Sequence, residues 1–212
     1  MTDAHCHVSA GGAVRELLIG RDFVGIHPWD ATTVDEVALA AVREKVKGCP
    51  TTGVGEIGLD RLKVREIPAR MREVFLTQLE IAAEFHRPVV LHGAKCWGQV
   101  VTACKPFAGR IPAFLFHGFS RSDGLIPDIA ALNGFISVGP ALLNDHAVNY
   151  RELVRRIPAD RLLVETDRTT DNFSECPSVF EVAKKLAEVR EMTVSEVEAM
   201  TDANVGRFLI YL

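Results

Sequence analysis

Seven short apolar runs, at residues 2–5, 23–27, 52–57, 88–92, 113–117, 134–138 and 162–166, punctuate the chain, with longer amphipathic stretches between most of them. The runs are too short for buried helices and are bounded by Gly, Pro or charge, so they read as strands. The stretches at 33–47, 69–86, 122–132, 150–156 and 178–191 read as helices. The first carries Asp35 and Glu36 at its start and stops at Gly48, as helix-end chemistry requires. The second sets Met71, Phe75, Leu79 and Ala82 on one face. A final helix opens on Thr193-Val-Ser-Glu196, the spacing of a capping box. Alternation of nearly continuous apolar strands with helices specifies parallel β-structure covered by helices. The expected fold is therefore α/β, a TIM-barrel-like parallel β/α barrel. It is reduced to about seven strands, because residues 8–21 offer one short helix and no strand before the second run.

A chain of 212 residues is read as one domain, residues 1–212, long enough to bury a large core. No apolar run approaches the roughly 20 residues that cross a bilayer, so no membrane association is expected. The opening MTDAHCH places an acid and two histidines where a signal peptide needs a basic and then an apolar stretch. The expected location is the cytoplasm. The five cysteines are odd in number and lack CxxC spacing, which suits reduced thiols rather than a disulfide framework. With 24 basic and 28 acidic residues the net charge is −4. That excludes the broad basic footprint of a non-specific nucleic-acid binder, though not a nucleic-acid substrate met by bound cations.

The chemistry lies in what ends the strands. The first run leads into His5-Cys-His7, the second ends at His27, the third holds Glu56, and later runs end at His92, at His117 and at Glu165-Thr-Asp167. In parallel β/α folds the C-terminal strand ends share one rim, where ligands bind. Imidazoles and carboxylates gathered there need a counter-charge, since buried like charges repel and buried polar groups need partners. Divalent cations satisfy both, and nitrogen and oxygen donors without thiolate suit Zn²⁺, Mn²⁺ or similar ions. His5 and His7 point the same way from a strand, while Cys6 between them points to the other side.

The ordered set Asp3-Ala-His-Cys-His7, Gly25-Ile-His-Pro28, Gly55-Glu-Ile-Gly-Leu-Asp60, Pro88-Val-Val-Leu-His92, His117-Gly-Phe-Ser120, Leu163-Val-Glu-Thr-Asp167 and Thr201-Asp-Ala-Asn-Val205 resembles the TatD-like metal-dependent hydrolases, related to the amidohydrolase superfamily. The resemblance implies a two-metal phosphoesterase, deoxyribonuclease-like, acting on DNA or a small phosphoester, with two divalent ions (Zn, Mg or Mn) and no obligate protein partner. Carried over residue by residue, it implies His5, His7 and Asp167 on one ion, His92 and His117 on the other, and Glu56 bridging. Glu56 and Asp167 are then the catalytic carboxylates, with Asp167 also a candidate general base for the attacking water. His27, Lys95 and Arg168 follow strand ends and are candidate substrate contacts; for His27 a turn role before Pro28 is the alternative. Asp60 is either a group that orients a ligand histidine or a loop acid. Trp29 and Trp97 offer either base stacking or packing on the rim. The chain departs from the family pattern after His92 and Asp167, where it reads Gly93-Ala-Lys95 and Arg168-Thr-Thr-Asp171, so the substrate walls differ. An amidohydrolase-type C–N or ester hydrolase, or a non-catalytic metal-binding scaffold, would use the same ligands.

Overall fold

The computed structural model describes residues 1–210 and 212. Its strands are β1 (Thr2–Cys6), β2 (Arg15–Leu18), β3 (Phe23–Val24), β4 (Gly53–Asp60), β5 (Val89–Ala94), β6 (Phe114–Phe116), β7 (Gly134–Val138) and β8 (Leu162–Val164). The helices are α1 (Glu36–Gly48), α2 (Ala69–Glu84), α3 (Trp97–Cys104), α4 (Ile126–Ala131), α5 (Val148–Arg156), α6 (Val179–Arg190) and α7 (Val194–Phe208). All strand pairs are parallel: β3 to β8 form one six-stranded sheet in chain order, and β1 with β2 form a two-stranded ribbon.

The strand count corrects the sequence reading. An eighth strand, β2, lies where the pattern offered a short helix. Arg15-Glu-Leu-Leu18 has no alternation to mark it, and helix-forming Glu and Leu dominate it. Pairing with β1, Thr2 opposite Arg15 and Asp3 opposite Glu16, decides its state, because strand preference is largely a matter of context. The region between His7 and Phe23 thus keeps its strand and lacks its helices. β1 reaches its parallel neighbour through residues 7–14 alone, shorter than the helical crossover such a pairing usually takes. Sequence periodicity also missed the eight-residue α3. The segment at 122–132 divides into a 3₁₀ turn, Asp123–Leu125, and the short α4.

The ladder between the ribbon and the six-stranded arc is not continuous, so the barrel is not closed by strand pairing. On one side a single bridge joins Ile19 to Phe23. On the other, Asp167 N–H donates to His5 O at 3.0 Å and His7 N–H to Arg168 O at 2.8 Å. A side-chain clamp reinforces that seam: Asp3 accepts from the Thr166 amide at 2.9 Å and from its hydroxyl at 2.6 Å.

Alternate residues along each strand feed two apolar clusters. Val89, Leu91, Phe114, Phe116, Ile136 and Val138 pack with residues of the helices, including Leu79 of α2 and Leu186 of α6. Val90, Leu115, Phe135 and Leu163 pack with Ala4, Leu17 and Phe23. Phe208 of α7 stacks on Phe23 with centroids 5.7 Å apart and meets Phe135 at 5.8 Å, tying β3 to β7 near their N-terminal ends. Each such side chain, fully buried, is worth roughly 1.5–3 kcal/mol. Asp35 caps α1 through the Ala38 amide, and Ser178 with Glu181 and Thr193 with Glu196 form capping boxes on α6 and α7. Among the described residues no helix is long and apolar enough to cross a membrane.

Candidate metal centre

The C-terminal strand ends converge on one carboxylate. Glu56, 3% exposed, stands in β4 after a cis peptide bond from Gly55. Five imidazoles reach it. His5 Nε2 and His7 Nε2 lie 3.4 and 3.2 Å from Glu56 Oε2. His92 Nδ1 and His117 Nε2 each lie 2.7 Å from Oε1, with His27 Nε2 at 3.5 Å. The two oxygens therefore face different sets: the ribbon's histidines on one side and those of the arc on the other. Asp167, on a left-handed backbone at φ 50°, places Oδ1 3.5 Å from His5 Nε2 and 3.6 Å from His7 Nε2. His117 stacks on His5 with centroids 4.0 Å apart and so sits between the two sets.

Close approach of β4 and β5 is what brings Glu56 to His92. Gly58 carries φ +150°, and a Cβ there would lie 2.0 Å from the His92 carbonyl oxygen. The histidines are oriented from behind. His92 Nε2 lies 3.0 Å from Asp60 Oδ2, and Asp60 Oδ1 accepts from the Leu62 amide at 2.6 Å. Of the two sequence readings of Asp60, the structure thus shows the one against His92. His117 Nδ1 faces Glu165 Oε1 at 3.6 Å, and Glu165 is fixed by the Gly118 amide and the Ser137 hydroxyl. His27 Nδ1 accepts from the Trp29 amide at 3.1 Å. Neutral His27 then carries its proton on Nε2, which makes it a donor rather than a metal ligand.

The electrostatics follow from this crowding. Burial raises the Glu56 carboxyl, but His117 and His5 more than reverse it and hold it well below the usual range. Burial raises Asp167 too, and the facing imidazoles of His5 and His7 bring it far down. Burial lowers His117, whereas Glu56 and Glu165 lift it well above an ordinary imidazole. His7 is pushed up to about 9 by the carboxylates of Asp167 and Glu56 that face it. Asp60, despite burial, is brought down to about 2 by His92, the Leu62 amide and Trp29.

The donor set fits divalent cations. His5 is fully buried, and neither of its ring nitrogens has a hydrogen-bond partner; His117 Nδ1 is likewise without one. Orphaned buried nitrogen is costly, and a cation is the partner that imidazole nitrogen and carboxylate oxygen share. Ligand atoms within 4.8 Å of one another form the sets His5, His7 and Glu56, and His5, His117 and Asp167; a third group, His27, Glu56 and His92, includes the donor His27. A further set, Asp3, Cys6 and Glu16, is already satisfied internally through Thr166 and Arg168.

The structure brings His5, His7, His27, Glu56, His92, His117 and Asp167 together. Lys95 stands at the edge of the same site, exposed, in a cleft of about 840 Å³ lined also by His92, His117 and Asp167. Arg168 does not reach the rim, which corrects its reading as a substrate contact. Its guanidinium is buried against Glu16 Oε1 at 3.1 Å, because the helix-free ribbon leaves that carboxylate to be neutralised from β8's side. Cys6 is fully buried and donates toward Leu17 O, away from the histidines. Sequence reasoning placed Glu165 on the same side as Asp167, as its alternative at that strand end, and missed Gln78. Glu165 is marked only by its two-residue offset from Asp167. Gln78, a lone amide on the apolar face of α2, accepts from Ile26 N–H at 2.6 Å and donates to Ile26 O at 3.1 Å, fixing the backbone beside His27.

Comparison with known proteins agrees with this geometry. The family model for TatD related DNase matches residues 20–209. An uncharacterized metal-dependent hydrolase, YabD, of Bacillus subtilis is 31% identical over 191 residues, covering 87% of this chain and 75% of that protein. A protein of Cronobacter sakazakii named 3'-5' ssDNA/RNA exonuclease TatD is 27% identical over 198 residues, covering 88% and 75%. The crystal structure of YJJV, a TatD homolog from Escherichia coli K12, superposes with a TM-score of 0.75 at 24% identity, over 87% of this chain and 74% of that one; it shares the fold. A strand-end cluster of imidazoles and acids, a family match over most of the chain and a relative at this identity lead to one statement: the chain belongs to the TatD related DNase family of metal-dependent hydrolases.

Proposed function

We propose that this hydrolase cleaves phosphodiester bonds in single-stranded nucleic acid, using two divalent ions held by His5, His7 and Asp167 on one side and by His92 and His117 on the other. The observation that carries the reading is Glu56, whose Oε2 faces the first pair of histidines and whose Oε1 faces the second, the placement a bridging carboxylate needs. When bound, two such ions polarise a phosphoryl oxygen and make water nucleophilic at neutral pH. Asp167 is half exposed and lines the clefts on both sides, so it is the carboxylate placed to take the proton from the attacking water. The phosphorus–oxygen bond to the leaving sugar breaks, and that oxygen takes up a proton. His27 Nε2–H donates into the site and suits a non-bridging phosphoryl oxygen.

The wall of the site supports an anionic substrate. Arg61, Lys95 and Arg121 line the cleft that contains His92, His117 and Asp167, and among the described residues none of the three has an ion-pair partner. Lys95 and Arg121 also hold left-handed backbones, at φ 56° and 60°, a conformation that costs a non-glycine residue on the order of 1 kcal/mol. Two strained, unneutralised cations beside a cluster of metal-ligand type fit phosphates on either side of the scissile bond. The relative named as a 3'-5' ssDNA/RNA exonuclease supports the same substrate class. All five cysteines are free thiols, which fits a reducing compartment such as the cytoplasm.

Metal analysis of protein purified without chelator, paired with digestion of single-stranded DNA and RNA under Mg²⁺, Mn²⁺ and Zn²⁺ in turn, tests the reading. Two equivalents of metal and release of nucleotides are expected. Hydrolysis of amides or lactones in place of oligonucleotides would replace this reading with the amidohydrolase one.

A further inference from the structure

The two tryptophans of the chain have opposite environments. Trp97 is 5% exposed and packs on Phe116 and Phe119 with centroids 5.8 and 5.3 Å apart. Trp29 is 60% exposed, an unusual state for a large aromatic with no apolar surface to cover. Yet it is held in place: its indole Nε1–H donates to Asp60 Oδ2 at 2.8 Å, and the same oxygen lies 3.0 Å from His92 Nε2. Its ring meets His27 edge-on at 4.8 Å, its backbone amide donates to His27 Nδ1, and the Lys63 ammonium lies 5.0 Å from its centroid. An exposed aromatic plane is thus tethered, through one carboxylate, to a histidine of the metal cluster and, through one amide, to the donor histidine beside it.

Packing within the protein does not account for that arrangement. A flat π-surface is what a nucleobase recognises, and stacking on it is worth roughly 1–3 kcal/mol per base while tolerating any base. The neighbouring Lys63 supplies the cation such platforms pair with backbone phosphate. We propose that Trp29 is a nucleobase platform: the base of a nucleotide next to the scissile phosphate stacks on its indole, and Asp60 fixes that base relative to His92. The proposal rests on the phosphodiesterase reading above. It makes Trp29 a binding residue for single-stranded substrate, because a base paired in a duplex is not free to stack there.

Because only one tryptophan meets solvent, fluorescence reports on it directly. Metal-loaded protein is titrated with a hydrolysis-resistant phosphorothioate single-stranded octanucleotide and, separately, with a duplex of the same sequence. Saturable quenching of the exposed emission by the single strand, with little by the duplex, is expected; Trp97 supplies the unquenched remainder. In W29F the quenching signal disappears. In steady-state cleavage of single-stranded DNA, W29A raises KM about tenfold, as loss of one stacked base implies, while W29F keeps most of the affinity. An abasic nucleotide beside the scissile bond weakens wild type by a similar factor, and the two losses do not add. Absence of quenching in wild type overturns the proposal, as does a W29A loss that adds fully to the abasic loss. Quenching by a resistant strand needs no turnover, so it separates this inference from the activity itself: cleavage without quenching sinks the platform alone, whereas quenching without cleavage under any ion sinks the phosphodiesterase reading alone.

Discussion

The six-stranded arc β3–β8 and the two-stranded ribbon β1–β2 deliver comparable chemistry to the centre by different means. In the arc, β4, β5, β6, β7 and β8 are each followed by at least one helix, and apolar burial between sheet and helices sets the strand ends that carry Glu56, His92 and His117. In the ribbon neither strand is followed by a helix. His5 and His7 are instead held by buried polar clamps: Asp3 on Thr166, Glu16 on Arg168, and Glu16 also on the Ser9 hydroxyl and the Ala10 amide. A β/α scaffold can therefore lose crossover helices and keep its strand-end imidazoles in place, provided that specific polar bonds replace non-directional burial. Such a replacement is less forgiving, because a half-broken buried network costs more than a trimmed apolar contact.

The most severe way to break the comparison strikes both regions at once. Glu56→Gln removes the carboxylate that the two share, and turnover of oligonucleotide is expected to fall on the order of 10³-fold, with metal content falling in parallel by elemental analysis. Next in size, Arg168→Met strikes the ribbon alone. It leaves Glu16 buried without its partner and should cost about 3 kcal/mol in urea unfolding. Adding Glu16→Leu recovers most of that loss if the clamp is the cause. Asp60→Asn strikes the arc alone: by weakening the group behind His92 it should lower metal affinity by about 10–100-fold with little change in the urea midpoint. The smallest effect follows the proton on one imidazole of the ribbon. Metal must displace the proton from His7, which Asp167 and Glu56 hold up to about 9. Calorimetry on chelator-stripped protein in buffers of different ionisation enthalpy should show proton release on metal binding at neutral pH, with apparent affinity rising as pH rises toward 9. His7→Ala should remove about one of those protons.

Much of the arc could be read directly because its signals are local. The apolar runs that end at His92, at His117 and at Asp167 announce strand ends within five residues, and the capping box at Thr193 marks a helix start by spacing alone. The ribbon could not be read so well. Arg15-Glu-Leu-Leu18 has no period, and only its pairing with β1 makes it a strand. Arg168 illustrates the same limit: a cation after a strand-end acid looks like a phosphate contact until the fold sets it against Glu16. Gln78 and Glu165 act through partners, Ile26 and His117, that are distant in sequence.

The order of residue types along the chain settled the fold class and the family pattern and named the candidate donors, since each rests on short local motifs. Folding in three dimensions settled how those donors divide around Glu56, which cations face the cleft and which tryptophan meets solvent. Those outcomes depend on distances between segments from 31 to 163 residues apart, set by strand register, by the β1–β8 seam and by the close approach of β4 to β5.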